Sequence, residues 1–386
     1  MNKTLETKNM ILTPIQVSDA EAIFHFFTHQ ITKYMYPKPA NTIDDTLAFI
    51  NHSIALRNEN KELVFVARLK YDDTFVGCFG LHQLDTQSPE LGVWIQEDLH
   101  HKHLGLEGVS RLIEYARDNI PHDYLIYPVD RRNYASRNIP ESYGGILKKT
   151  YQKIGRGQNE LDIIEYWIYP KMPLDYVYPT ILFQGDSITD CGRNRLHIDS
   201  LGDGYVQKLK QHFPGAKLIN KGISGDRTEE LLKRWDDDVI KQKPDILVLL
   251  CGVNDVWHYY NFGKAIDEKS FKDNYEKLIK ETMHQLPQTK ILLLEPFAYP
   301  IYEFHENWKP LLDAFISIIR ELAKKYQLPL IPLSDQMKQW QKQYAMEAIL
   351  GDGVHPTELG HELIAKTIKP ILRDMCLTIQ EENLKK

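Results

Sequence analysis

The pentapeptide Gly185-Asp186-Ser187-Ile188-Thr189 directly follows the apolar run Ile181-Leu182-Phe183. At the carboxyl edge of a parallel strand, such a serine presents its hydroxyl to a ligand. Its own backbone N–H points into the same space as an oxyanion donor. Taken alone, the pentapeptide also suits a Gly-Asp-Ser turn with a helix N-cap. Three further blocks extend the chemistry. Asn220-Lys221-Gly222-Ile223-Ser224-Gly225-Asp226 follows a second apolar run, and Gly252-Val253-Asn254-Asp255 follows a third. Asp352-Gly353-Val354-His355-Pro356 precedes the last helical stretch. A serine that transfers acyl groups needs a base, a carboxylate to set the tautomer of that base, and donors for the oxyanion. The four blocks supply every one of these groups.

Strands must deliver the blocks to one rim. Beyond Tyr169-Pro170-Lys171-Met172-Pro173-Leu174, where two prolines interrupt regular structure, the pattern is strand–helix alternation. Buried-type strands are expected at Ile181–Phe183, Lys217–Ile219, Ile246–Leu250, Ile291–Leu294 and Leu330–Ile331, and Leu312, Phe315, Ile319 and Leu322 recur at helix spacing between the last two. Five short apolar strands separated by helices imply a parallel sheet covered on both faces, with ligands at the carboxyl ends. Before the boundary the pattern differs. A helix over Ala20–Phe27, a hairpin of 62–67 with 75–80, strands at Glu90–Ile95, Tyr124–Val129 and Ile163–Ile168, and a helix after Gly105 burying Val109, Leu112, Ile113 and Ala116 indicate an α+β domain. The expected domains are residues 1–172 and 173–386.

On its four blocks, the segment from 180 to about 373 resembles the SGNH (GDSL-type) hydrolases. The resemblance implies an α/β, flavodoxin-like three-layer parallel sheet and metal-free ester hydrolysis without a cofactor. Ser187 falls on the family nucleophile, Asp352 and His355 on its Asp-x-x-His pair, and Ser187, Gly225 and Asn254 on its oxyanion hole. His355 Nε2 would deprotonate Ser187 while Asp352 holds Nδ1–H. The strings Gly185–Arg193, Asn220–Gly225, Arg234–Ile240 and Asn254–Trp257 are similar to bacterial acetylxylan esterases of that family. This implies removal of O-acetyl groups from xylo-oligosaccharides or similar sugars, so the expected partner is a small acetylated carbohydrate. Thioesterases and lysophospholipases of the same family are the alternative. Asp186 reads as a turn-fixing group, Cys191 and Cys251 as buried small hydrophobes, and Arg193 and Trp257 as either substrate contacts or packing.

Residues 9 to about 170 resemble the GNAT acetyltransferases, through Met10-Ile11-Leu12-Thr13-Pro14, Asp19-Ala20, Glu90–Ile95, the helix after Gly105, Asn133-Tyr134-Ala135-Ser136 and Tyr143-Gly144-Gly145. The resemblance implies acetyl-CoA as cofactor, its pyrophosphate held by the backbone before that helix. His101, His103, Gly105, Asn133 and Ser136 are then the candidate contacts. The family pattern Gly-x-Gly-x-Gly/Ala reads His101-Lys102-His103-Leu104-Gly105 here, so only Gly105 matches. Two other readings stand beside this one: a chain that is chiefly an N-acetyltransferase, and a fold retained as a dimerisation or substrate-docking module, the dimerisation case giving a homo-oligomer.

Composition narrows the partners. The 386 residues are 42% hydrophobic and 26% charged, which excludes wholesale disorder. The net charge of −6 divides evenly, with 19 Lys+Arg against 22 Asp+Glu in 1–172 and 28 against 31 in 173–386. Neither half carries the basic excess that nucleic acid requires. No apolar run reaches the ~18–20 residues of a membrane span, and the first residues lack a signal-peptide pattern, so a cytoplasmic protein is expected. Cys78, Cys191, Cys251 and Cys376 are too dispersed for a disulfide framework or zinc ribbon. His100-His101-Lys102-His103 reads as a solvated loop, and no metal is expected.

Overall fold

The computed structural model describes residues 3–171, 173, 176–197 and 199–385. The chain forms two compact units, Met1–Tyr176 and Val177–Lys386. The expected boundary adjoins Met172, which lies outside the described residues. Tyr176 joins the first unit, where Lys148 Nζ lies 6.0 Å from its ring centroid.

The first unit is built on one eight-stranded sheet. Its strands are β1 (Leu5–Glu6), β2 (Met10–Pro14), β3 (Leu63–Leu69), β4 (Phe75–His82), β5 (Glu90–Ile95), β6 (Leu125–Asp130), β7 (Ile146–Ile154) and β8 (Glu160–Ile168). Their order is β1-β2-β3-β4-β5-β6-β8-β7. Neighbours are antiparallel except β5 and β6, which run parallel and pair at Glu90↔Ile126 alone. The helix Leu104–Asn119 follows β5 and buries Leu104, Gly108, Val109, Leu112, Tyr115 and Ala116; Ile113, expected on that face, is half-buried.

Several elements of this unit escaped the periodicity reading, among them the helix Ile43–Asn58 and strand β7. The helix Ile43–Asn58 buries only Thr46, Ile50 and Ser53, too thin an apolar stripe to register. Its signal is a capping box instead: Thr42 Oγ1 accepts from Asp45 N and Asp45 Oδ2 from Thr42 N. Strand β7 is the sheet edge, buried at Ile146 and Leu147 and exposed or half-exposed beyond them. Its lysines suit an edge that must resist further pairing.

The second unit is an α/β fold with a parallel five-stranded sheet, β9 (Thr180–Gly185), β10 (Lys217–Asn220), β11 (Ile246–Leu250), β12 (Lys290–Leu294) and β13 (Leu330–Ile331). Its order is β10-β9-β11-β12-β13. All five expected strands are present, within a residue or two of their expected ends. In β11 every residue is buried, which explains why these strands read as apolar runs instead of alternating. Two helix groups supply the cover. Tyr205–Lys210 packs with Glu358–Leu384, and Glu268–Gln285 packs with both Thr228–Trp235 and Lys309–Tyr326. Phe271 and Phe315 stack at 3.9 Å between centroids in the second group. Strand β9 pairs with β10 on one side and β11 on the other, so the direction of winding reverses at its carboxyl end. Such a switch point leaves a crevice open to ligands.

Candidate active site

Ser187 begins a one-turn helix, Ser187–Asp190, directly beyond β9. Asp186 caps that turn, its Oδ1 accepting from Ile188 N at 3.0 Å. The Cys191 N–H closes it on Ser187 O at 2.9 Å. Ser187 Oγ lies 2.8 Å from His355 Nε2, across 168 residues of chain. His355 Nδ1 lies 2.6 Å from Asp352 Oδ2. With Nδ1–H donated to that carboxylate, Nε2 keeps a lone pair for the serine proton.

The Asp352 turn is self-sufficient. Its Oδ1 accepts from Val354 N at 2.9 Å and His355 N at 2.7 Å. Partial burial pushes the Asp352 carboxyl up. The bonds from the His355 backbone and ring and from Val354 N more than offset this and hold it below its usual range. An ionised Asp352 therefore faces the imidazole at neutral pH.

The remaining block residues adjoin. Gly225 has φ +87°, and no atom lies within 4 Å of where a Cβ would stand. Conformation, not space, demands glycine there. Asn254 is buried and spends one amide N–H on Asp226 O at 3.1 Å, which ties it to the Gly225 loop and leaves its second N–H. Among the described residues neither Ser187 N nor Gly225 N donates to a group of the chain.

Asp186 is buried, and its Oδ2 has no hydrogen-bond partner among the described residues. Burial pushes its pKa up to about 7, against the Ile188 N–H bond. The folded state then holds this proton where the unfolded chain has lost it, so stability falls as pH rises from about 4 to about 7. Asp186→Asn keeps a capping oxygen and removes the titration. Melting temperatures at pH 5 and pH 8 should differ less in this variant than in the wild type; an unchanged difference would overturn the assignment.

Cys251 is buried, as expected. Cys191 departs from expectation: it is half-buried, and its Sγ lies 3.1 Å from His361 Nε2. Tyr205 N donates to His361 Nδ1, which places the ring hydrogen on Nε2 and aims it at the sulfur. Burial lowers the His361 pKa to about 4, so this imidazole is a neutral brace. No motif announced His361, because its partners are a backbone N–H and a distant thiol. Arg193 Nη2 donates to Gly222 O at 2.8 Å and so serves the loop. The half-buried Trp257 ring lies 6.3 Å from the His355 ring and packs on Trp308.

In the first unit, His101 (φ 63°) and His103 (φ 59°) lie in the left-handed region. His103 is the N-cap residue of the helix Leu104–Asn119 and gives it no side-chain cap. A Cβ on Gly105 would meet only Ile139 and Ile95, at 3.6 and 3.8 Å, so packing does not require glycine there. Asn133 and Ser136 lie together: Asn133 Oδ1 accepts from Ser136 N, and Ser136 Oγ is 2.9 Å from Tyr127 Oη. Among the described residues no three His, Cys, Asp or Glu side chains could hold a metal ion, and no helix is long and apolar enough to cross a membrane.

Serine, imidazole and carboxylate are linked in series at the carboxyl edge of a parallel sheet, the arrangement of an acyl-transferring hydrolase. The chain belongs to the GDSL-like lipase/acylhydrolase family, whose model matches residues 183–363. Residues 9–146 match the acetyltransferase (GNAT) domain. Over 198 residues the chain is 32% identical to an acetylxylan esterase of Geobacillus stearothermophilus, covering 48% of this chain and 90% of that protein. Over 154 residues it is 25% identical to the uncharacterized N-acetyltransferase YoaA of Bacillus subtilis, covering 39% of this chain and 84% of that protein. The crystal structure of Axe2, an acetylxylan esterase from G. stearothermophilus, shares 30% identity at a TM-score of 0.46, covering 52% of this chain and 94% of its own.

Proposed function

We propose that the second unit removes O-acetyl groups from xylo-oligosaccharides or similar short acetylated sugars through an acyl-enzyme on Ser187. The observation that carries this reading is the unbroken series Ser187 Oγ–His355–Asp352 at 2.8 and 2.6 Å. Ser187 Oγ attacks the acetyl carbonyl carbon as its proton passes to His355 Nε2. The oxyanion is received by the N–H groups of Ser187 and Gly225 and the free amide N–H of Asn254. Collapse breaks the bond to the sugar oxygen, which leaves with the proton from His355. Water then repeats the sequence on the acetyl-serine, releasing acetate. The choice of an acetylated sugar is supported by the acetylxylan esterase relative.

The first unit, in this reading, binds acetyl-CoA. His101 and His103 lie in the left-handed region that ordinarily favours glycine, and the backbone N–H groups before the helix would receive the anion. The uncapped helix start at Leu104 and Gly105 would receive the pyrophosphate. Asn133 would stay committed to capping its own helix and the Ser136 hydroxyl to Tyr127 on β6. When bound, the group supplies an acetyl thioester.

A panel of p-nitrophenyl esters and acetylated xylo-oligosaccharides tests the first part. Acetyl esters should turn over at least about tenfold faster than eight-carbon esters, because one mismatched methylene is worth roughly 1–3 kcal/mol in a fitted pocket. A preference for eight-carbon esters would instead indicate a lipid or thioester substrate. Calorimetry with acetyl-CoA tests the second part, and absence of binding to the full chain would reject it.

A further inference from the structure

We propose that Arg234 is a positioning residue for ester hydrolysis, holding the Ser187 turn and the Gly225 loop at their working separation. The proposal rests on Ser187 being the nucleophile.

Arg234 lies on the helix Thr228–Trp235, and its guanidinium is mostly buried. Its Nη2 donates to Gly185 O at 3.2 Å, two residues before Ser187. Its Nη1 donates to Lys221 O at 2.7 Å, at the start of the loop after β10, and to the Asp238 carboxylate. Its Nε donates to Asp226 Oδ2 at 2.7 Å, at the end of that loop. One rigid, planar group thus joins the carboxyl end of β9 to both ends of the segment that carries Gly225. A lysine, with one compact ammonium on a flexible stem, lacks this planar fork.

No side chain anchors Gly225, and a Cβ there would meet nothing within 4 Å, so the hydrogen bonds of its neighbours set the direction of its N–H. On one side Ser224 donates through N and Oγ to Asp190 Oδ2, both at 2.9 Å, and Asp190 lies on the turn that begins at Ser187. On the other side Asp226 is held twice: its carboxylate by Arg234 and its carbonyl by the Asn254 amide. Burial holds the Asp226 carboxyl above its usual range, and the charge and hydrogen bond of Arg234 oppose that rise without cancelling it. Without the guanidinium that carboxylate would lose its partner, and the loop would move to solvate it. Gly225 and Asn254 would then move together relative to Ser187. An oxyanion hole depends on donors fixed before charge develops, so the loss falls on the transition state more than on substrate binding.

The test uses the full chain and p-nitrophenyl acetate. Arg234→Gln should lower kcat by about 10–10²-fold with KM within about threefold, the scale of a misplaced reacting group. Asp226→Asn, nearly isosteric and retaining the carbonyl that Asn254 uses, should lower kcat by about tenfold. The double variant should be no worse than Arg234→Gln, since both changes break one link. A folded Arg234→Gln with kcat within about twofold of wild type would overturn the proposal, as would losses that multiply in the double variant. A loss residing entirely in KM would do so too. If Arg234→Gln fails to fold, Asp226→Asn decides alone by the same threshold. Ser187→Ala run in parallel keeps the two readings apart. Turnover that survives Ser187→Ala rejects the nucleophile, whereas Ser187-dependent turnover that ignores both substitutions rejects only the role of Arg234.

Discussion

Ser187→Ala should lower turnover of a small acetyl ester by at least about 10⁴-fold while leaving the melting transition in place. The Ser187 hydroxyl is the group that faces His355 Nε2, at 2.8 Å, and the β9–helix turn is held by Asp186 and Cys191 and not by that hydroxyl. Removing Oγ therefore takes away the atom that would carry the acetyl group and leaves its supports. Neither thiol near the site substitutes. Cys251 is fully buried, and Cys191 faces His361, whose Nε2 carries a hydrogen and cannot act as its base. A folded Ser187→Ala chain with wild-type turnover would reject the acyl-enzyme reading outright. Rates on p-nitrophenyl acetate, together with mass spectrometry for a trapped acetyl-serine in the wild type, decide it.

Asp352→Asn should lower kcat by about 10³–10⁴-fold, although the side chain keeps its size. The carboxylate accepts from three groups: Val354 N and His355 N at Oδ1, and the imidazole at Oδ2. An asparagine can keep its oxygen on the two backbone donors, so the turn survives. Its amide then points N–H at Nδ1 and favours the opposite tautomer, with hydrogen on Nε2. That hydrogen faces Ser187 Oγ, and the lone pair needed to receive the serine proton is lost. The imidazolium formed during attack also loses its counter-charge. Raising the pH should restore little, because the defect is one of tautomer and not of protonation. Activity within about tenfold of wild type would remove Asp352 from the mechanism.

Much of the architecture was legible in the sequence because it rests on local rules. Strands β9 to β13 are buried on both faces, so each is written as an unbroken apolar run between helices. The GNAT segment was legible from Glu90–Ile95 and the helix after it. The helix Ile43–Asn58 was not, because its buried face is mostly polar. Strand β7 was not, because an edge strand rich in lysine lacks the alternation of a half-buried one. Its place in the sheet comes from β8, which pairs with it from Ile146↔Trp167 to Ile154↔Glu160.

By itself the sequence determined the fold class of both segments, the family of the second, and the chemical groups available to it. Apolar period, turn residues and motif order are properties of neighbouring residues and need no folded chain to be read. Tertiary structure alone decided how close those groups come. Asp352 and His355 are three residues apart, and a tight turn brings their side chains together. Ser187 meets His355 only because β9 and the start of the last helix end on one rim of the sheet. The same holds for the bonds of Arg234 to Gly185 O and Lys221 O and of Asn254 to Asp226 O. Every residue type has a backbone carbonyl, so a bond to one leaves no trace in composition or spacing. The sequence shows that a guanidinium is present, and the fold determines which loops it joins.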